Sequence, residues 1–328
     1  MNSHTPSAGA KPPADPSPNQ RAWRRFRRNP VAMASSFLLG FLVALILVWP
    51  LFSRPPFAPH LPRALTHAPN AVSDAQFQPP GPQYWLGTDV HGRDLLSRVF
   101  SGARLSLFVG LVGTAVSLVI GVFWGAIAGY CGGRWDAVMM RFVDVLYSMP
   151  SIIFVIVLIT SLNAVLAKWQ SGPAPLPDAT ARWLQFTALF GGLGAVSWLT
   201  MARIVRGQVL SLRHRAFVDA SRVLGAGHFR ILWHHVLPNV YGLIIVYLTM
   251  TIPSIILYES FLSYLGLGIQ PPEASLGSLI ASGTEQINSI RIYWWLIVFP
   301  GGMLALTLLA LNFLGDALRD AWDPRSEN

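Results

Sequence analysis

Six long apolar runs constrain this chain more than any other feature of its sequence. They occupy residues 31–52, 105–130, 137–166, 184–205, 239–265 and 293–314. A helix needs about 20 apolar residues to cross a bilayer core. Charged residues make up only 12% of the chain and hydrophobic residues 52%, whereas soluble domains carry about 25% charged residues. The runs therefore predict an all-α membrane protein with about six transmembrane helices. Pro150 interrupts the third run and predicts a kink there.

The net charge of +9 raises the question of a nucleic-acid partner. The position of the charge argues against one, because the densest basic cluster directly precedes the first apolar run. A basic cluster beside a membrane span is typical of a cytoplasmic anchor on anionic lipid headgroups. We therefore expect membrane lipid, and no nucleic acid, as a partner. The cluster comprises Arg21, Arg24, Arg25, Arg27 and Arg28.

Lysine and arginine are more numerous on one side of the predicted spans, which places both termini in the cytoplasm. The predicted organisation has five parts. These are a disordered cytoplasmic tail (1–22), a basic anchor with the first span (23–52), an extracytoplasmic loop (53–103), a transmembrane core (104–316) with a cytoplasmic loop at 206–238, and a cytoplasmic tail (317–328).

Small residues recur at every fourth position of the second span. Such stripes allow helix backbones to approach closely in lipid. Either the stripe packs within this chain or it contacts a second membrane subunit, and we favour packing within the chain. The stripe consists of Gly113, Ser117, Gly121, Gly125 and Gly129.

Motifs for covalent chemistry or nucleotide binding are missing from the sequence. Its two lysines, Lys11 and Lys168, lie outside any P-loop pattern. No HExxH motif occurs, and the single cysteine, Cys131, lies in a glycine-rich turn. We expect no catalytic residue, no metal and no cofactor on this chain. Asp144 and Glu259 lie near span ends rather than at a midplane, which disfavours a transporter driven by an ion gradient.

The loop at 206–238 carries the most informative pattern. Phe217, Ala220 and Leu224 fall on one face of a short helix, and Gly225 is suited to end that helix in a left-handed cap. Pro238 suits the first turn of the next helix. An amphipathic helix in a basic loop either lies on the lipid surface or docks in a groove of a cytoplasmic partner.

This loop resembles the EAA loop of bacterial ABC importer permeases, whose pattern is Glu-Ala-Ala, three residues, Gly and a later Leu-Pro. The chain departs from it by Asp for Glu and Ser for the second Ala. In the family, the loop forms the coupling helix that sits in a cleft of the ATPase subunit. The corresponding residues are Asp219, Ala220, Ser221, Gly225, Leu237 and Pro238.

Four further segments resemble the C-type permeases of dipeptide and oligopeptide importers. They are residues 85–98, 129–133, 262–272 and 316–324. The resemblance implies a type I importer arrangement in the bacterial inner membrane. It also implies a homologous second permease, two ABC ATPase subunits that bind ATP and Mg, and an extracytoplasmic solute-binding protein. Nickel or another small solute is an alternative cargo to peptides. For residues 87–98, acidic and basic residues at helical spacing predict an exposed, salt-bridged helix. The alternative is that this segment lines the outer mouth of the pathway.

Overall fold

The computed structural model describes residues 18–52, 63–172, 177–287 and 291–322. The predictions for most of the 1–22 tail, for 53–62 of the long loop and for the last six residues lie outside these ranges. Apart from an isolated bridge between Thr88 and Asp94, the residues within these ranges form helices and loops. The helices are α1 Pro18–Arg28, α2 Pro30–Phe52, α3 Arg63–Thr66, α4 Leu95–Cys131, α5 Gly133–Tyr147, α6 Ser151–Gln170, α7 Asp178–Leu212, α8 Ala216–Val223, α9 His228–Ile231, α10 Tyr241–Tyr264, α11 Leu276–Thr284 and α12 Trp295–Trp322.

Within the described ranges, six helices are long and apolar enough to cross a membrane: α2, α4, α6, α7, α10 and α12. The helical backbone satisfies most of its hydrogen bonds internally, as lipid requires of a spanning segment, although α2, α10 and α12 each contain one interior proline. The prediction of an all-α membrane protein with six spans is confirmed.

Two predicted span boundaries differ from the structure. Helix α4 begins at Leu95 rather than near 105, because the Asp94 carboxylate accepts a hydrogen bond from the Ser97 amide at 2.8 Å and caps the helix. The third run forms two helices, α5 and α6, rather than one kinked helix. Pro150, which lacks an amide donor, stands immediately before α6, and the helical conformation is interrupted at residues 148–150.

The predicted loop at 206–238 is shorter than expected, because α7 continues to Leu212. After α8, the chain runs through α9, a π-helical turn (Leu232–Val236) and a 3₁₀ turn (Leu237–Asn239) directly into α10. Pro238 lies in that 3₁₀ turn, immediately ahead of the spanning helix. The path from His228 to Tyr264 is therefore a nearly continuous series of helical turns.

The small-residue stripe of α4 faces other helices of the same chain. A β-carbon at Gly121 would lie 2.6 Å from the Met201 β-carbon and 2.9 Å from the Trp198 carbonyl oxygen. One at Gly129 would lie 2.7 Å from the Arg206 carbonyl oxygen. Gly125 also faces the α7 backbone, Gly113 lies against Ile255 of α10, and Ser117 is fully buried. The α4–α7 contact is thus backbone against backbone.

Substituting Gly121 by Leu is expected to lower the free energy of unfolding by about 1–3 kcal/mol, since an overpacked core forces backbone shifts. Gly207→Leu in α7 is the matched control, because nothing lies within 4 Å of a β-carbon there and the position is exposed. Thermal unfolding of the detergent-solubilised chain measures both. Equal melting temperatures for the two variants would contradict backbone packing at this position.

Candidate functional site

The short helix α8 is held in place by one side chain that points into the protein. Val218 is fully buried and shares an apolar cluster with Val205 and Val209 of α7 and with Ile231 and Val236 of the following turns. Burial of a valine side chain contributes about 1.5–3 kcal/mol. Helix α8 is therefore fixed to the C-terminal part of α7 and to the turns that lead into α10.

The end of α8 is closed by the two hydrogen bonds of a Schellman motif. The Ala226 amide donates to the Ser221 carbonyl oxygen at 3.0 Å, and the Gly225 amide donates to the Arg222 carbonyl oxygen at 2.9 Å. Gly225 has φ +81°, which is the left-handed conformation that glycine adopts without a steric penalty. The predicted left-handed cap at Gly225 is confirmed.

Opposite Val218, α8 presents an exposed apolar face, which we define as Phe217, Ala220, Val223 and Leu224. At 100° per residue these four positions span an arc of about 120°. Val223 and Leu224 are each 87% exposed, an unusual degree for large apolar side chains. Asp219 and Arg222 lie outside this arc and pair with each other at 3.0 Å.

Sequence reasoning found three members of the exposed face and missed Val223. The signal was present, since two large apolar residues stand side by side just before the capping glycine. It also missed Phe229, which lies in α9 and is 74% exposed. Of the remaining predicted loop residues, Ser221 donates to the Phe217 carbonyl oxygen and Leu237 is buried in the cluster beneath α8.

A cavity of about 380 Å³ lies where the α5–α6 break meets α7 and α10. Every lining residue that the structure describes is uncharged. Aromatic rings, methionine side chains and hydroxyl groups supply most of the surface. The aromatic lining residues are Tyr147, Phe154, Tyr247 and Tyr258, and the aliphatic hydroxyls belong to Ser151, Ser197, Thr200, Thr251 and Ser254.

A second, more open cavity adjoins the first on α5 and α7 and is lined by charged groups. We call it the vestibule; its lining residues are Ala137, Met140, Arg141, Asp144, Arg203 and Arg206. Two ion pairs join α5 to α7 here. The Arg206 guanidinium donates to both carboxylate oxygens of Asp136, at 2.6 and 2.7 Å, and Arg203 donates to Asp144 at 2.7 Å.

The predicted exposed, salt-bridged helix at residues 87–98 is wrong, because residues 87–94 are not helical and residues 95–98 are helical but buried. Residues 87–94 form a turn in which Arg93 pairs with Asp89 at 2.7 Å, and the helix begins only at Leu95. Asp89, Asp94 and Arg98 are buried. The turn packs on α12, where the Trp295 indole donates to the Thr88 carbonyl oxygen at 3.3 Å. Burial raises the pKa of the Asp94 carboxyl above its usual value.

Glu259 is completely buried near the end of α10 and connects several elements. Its carboxylate accepts hydrogen bonds from Ser106 of α4 at 3.0 Å and from Ser263 at 2.6 Å. The Ser106 hydroxyl also accepts from the Leu276 amide of α11 at 3.3 Å. The Ser263 hydroxyl accepts from the Ile269 amide at 3.2 Å. One side chain thus ties together α4, α10, α11 and the loop that joins the last two.

Two family models match the chain. Residues 121–328 match the model described as binding-protein-dependent transport system inner membrane component. Residues 17–80 match the N-terminal transmembrane domain of oligopeptide transport permease C. The first match covers more than half of the sequence, including the cavity, the vestibule and α8.

Relatives of similar length align with almost the whole chain. The oligopeptide transport system permease protein OppC of Haemophilus influenzae is 40% identical over 306 residues, which cover 93% of this chain and 88% of the relative. The dipeptide transport system permease protein DppC of Bacillus subtilis is 41% identical over 308 residues, which cover 93% and 85%.

A solved structure titled as inward-facing conformations of the MetNI methionine ABC transporter aligns with a TM-score of 0.50. The alignment covers 73% of this chain and 98% of the other, at 18% identity, and so it shows a shared fold. The predicted type I importer arrangement is confirmed at the level of the fold. The chain belongs to the family of binding-protein-dependent transport system inner membrane components and is a multi-pass protein of the inner membrane.

Proposed function

We propose that this chain is one of two permease subunits of an ATP-driven importer for dipeptides and oligopeptides. The observation that carries the proposal is α8, a capped and anchored helix between two spans whose exposed face is apolar. Val223 and Leu224, each 87% exposed, form an apolar face that fits a hydrophobic groove on a partner. The names of the relatives support peptides as the cargo.

In this proposal α8 faces the cytoplasm and docks on one of two ABC ATPase subunits. ATP and Mg bind on those subunits, and this chain carries no cofactor and performs no covalent chemistry. A homologous permease completes the translocation pathway, and a solute-binding protein delivers the peptide from the other side. Both termini lie in the cytoplasm, as the distribution of arginine residues favours.

Movement of α8 has a direct route to the spans. Its buried Val218 contacts the cluster that includes Val205 of α7 and Val236 at the entry of α10. Both of these helices line the uncharged cavity. A displacement that the ATPase subunits impose on α8 is therefore passed to the walls of the pathway.

The uncharged cavity fits a cargo whose side chains vary. Hydroxyl groups of serine, threonine and tyrosine can donate to and accept from peptide amides, and aromatic and methionine side chains adapt to different apolar residues. Among the described lining residues there is no His, Cys, Asp or Glu, which are the usual protein ligands of nickel and other transition metals.

The test is reconstitution of the complete complex in proteoliposomes with a radiolabelled peptide. We expect uptake that requires ATP, both ATPase subunits and the binding protein, with no uptake of Ni²⁺. Uptake by this chain alone under a proton or sodium gradient would instead identify a secondary transporter. Uptake of Ni²⁺ but not of peptide would refute the proposed cargo.

A further inference from the structure

Tyr147, Asp144 and Arg203 form a connected cluster on α5 and α7. Arg203 donates to the Asp144 carboxylate at 2.7 Å, and its guanidinium lies 4.0 Å from the centroid of the Tyr147 ring. Arg203 stands nine residues before the end of α7 at Leu212, which is about 14 Å along the helix. Arg203 thus lies within a candidate membrane span, and charged side chains in such spans are candidates for pathway or functional sites.

The cluster lies between the two cavities. Tyr147 lines the uncharged cavity, whereas Asp144 and Arg203 line the vestibule. Along α7 the lining changes from Thr200 in the first cavity to Arg203 and Arg206 in the second. The linings of the two cavities therefore meet where the Arg203 guanidinium lies against the Tyr147 ring.

The two ion pairs between α5 and α7 differ in how easily they separate. Asp136 receives two hydrogen bonds from Arg206, and its side chain is only 12% exposed. The Asp144–Arg203 pair has one such bond, and its side chains are 54% and 38% exposed. Paired bonds to a guanidinium are strong and rigid, whereas a solvated single contact is weak. The first pair fastens the helices together and the second can open.

We propose that Tyr147, Arg203 and Asp144 act as a gate between the uncharged cavity and the vestibule. Asp144 holds Arg203 under the Tyr147 ring, and this arrangement closes the passage. Separation of the ion pair frees the guanidinium to swing into the vestibule and the ring to turn aside. The inference rests on the proposed function, since it assigns these residues to the inner end of the import pathway.

Thiol labelling of a cavity residue tests the gate. Cys131 is the one cysteine of the chain. Cys131→Ser combined with Ser197→Cys therefore places a single reporter at a half-buried position of the cavity lining. The assembled complex is prepared in inside-out vesicles and treated with a membrane-impermeant maleimide. Asp144→Asn and Arg203→Gln are each expected to raise the labelling rate about fivefold, the factor that corresponds to losing a favourable exposed ion pair. Tyr147→Ala removes the ring and its contact with the guanidinium, and it is expected to raise the rate by a similar factor.

Two controls separate the gate from a general charge effect. Arg141→Gln removes a vestibule charge that is not part of the cluster and is expected to leave the rate unchanged. The double reversal Asp144→Arg with Arg203→Asp is expected to restore slow labelling. Only complexes that copurify intact are scored. Tyr147→Ala alters no charge, so faster labelling of this variant cannot arise from a change in charge.

Unchanged labelling in all three single variants would overturn the gate, as would a double reversal that labels as fast as they do. Peptide uptake by the reporter chain, reconstituted in proteoliposomes with the ATPase subunits and the binding protein, tests the proposed function separately. Uptake with unchanged labelling refutes the gate alone. An intact complex without ATP-dependent uptake refutes the function on which the gate rests.

Discussion

Replacing Leu224 by Asp is expected to weaken binding of the ATPase subunits about thirtyfold and to abolish peptide uptake. The side chain is 87% exposed, so the substitution leaves the folded chain intact. In the complex, the new carboxylate would enter an apolar groove without a partner, and loss of a central apolar contact alone costs about 2 kcal/mol or more. Binding of purified ATPase subunits to the permease pair in nanodiscs measures the effect.

Val72→Asp is the matched control, because Val72 is 73% exposed and lies in the loop ahead of α4, far from α8 in sequence. It adds the same charge at an exposed valine and should leave ATPase binding near the value of the unmodified chain. If Leu224→Asp bound the ATPase subunits as tightly as this control does, α8 would not be their docking element.

Replacing Glu259 by Ala is expected to lower the free energy of unfolding by about 2–4 kcal/mol, since each buried hydroxyl that loses its partner costs about 1–3 kcal/mol. Ser106 and Ser263 both donate to this carboxylate. The loss should also loosen α11, whose Leu276 amide donates to Ser106. Denaturant unfolding of the purified chain and hydrogen exchange at the α11 amides measure the two effects.

Glu259→Gln retains the shape and one carbonyl acceptor, so we expect it to lose less than half as much stability as the alanine variant. Ser254→Ala, an exposed position on the same helix, controls for any substitution in α10. Equal losses for the alanine and glutamine variants would mean that side-chain volume, and not the hydrogen bonds, holds these elements together.

The spans were the most predictable part of this molecule. A helix needs about 20 apolar residues to cross the lipid bilayer, and such a run can be recognised directly in the sequence. The boundaries were less predictable because they depend on single local contacts. The Asp94 cap starts α4 ahead of the apolar run, and Pro150 divides the third run into two helices.

Long-range partners were invisible in the sequence. Glu259 and Ser106 lie 153 positions apart, and Arg206 and Asp136 lie 70 apart. No local pattern links such pairs, since each depends on how helices pack. The cap at Gly225 was predicted correctly because a Schellman motif is a local arrangement with its own sequence signature. The docking role of α8 stays a prediction, since it concerns molecules other than this chain.

The glycine contact between α4 and α7 limits how the protein can change shape. Where side chains separate two helices, small rotamer changes let the helices slide past one another. At Gly121 and Gly129 the carbonyl oxygens of Trp198 and Arg206 fill the space directly, and rigid backbone offers no second register into which it can shift. Helices α4 and α7 must then move together as one rigid body. Any opening of the pathway has to take place at hinges elsewhere, such as the break between α5 and α6 ahead of Pro150.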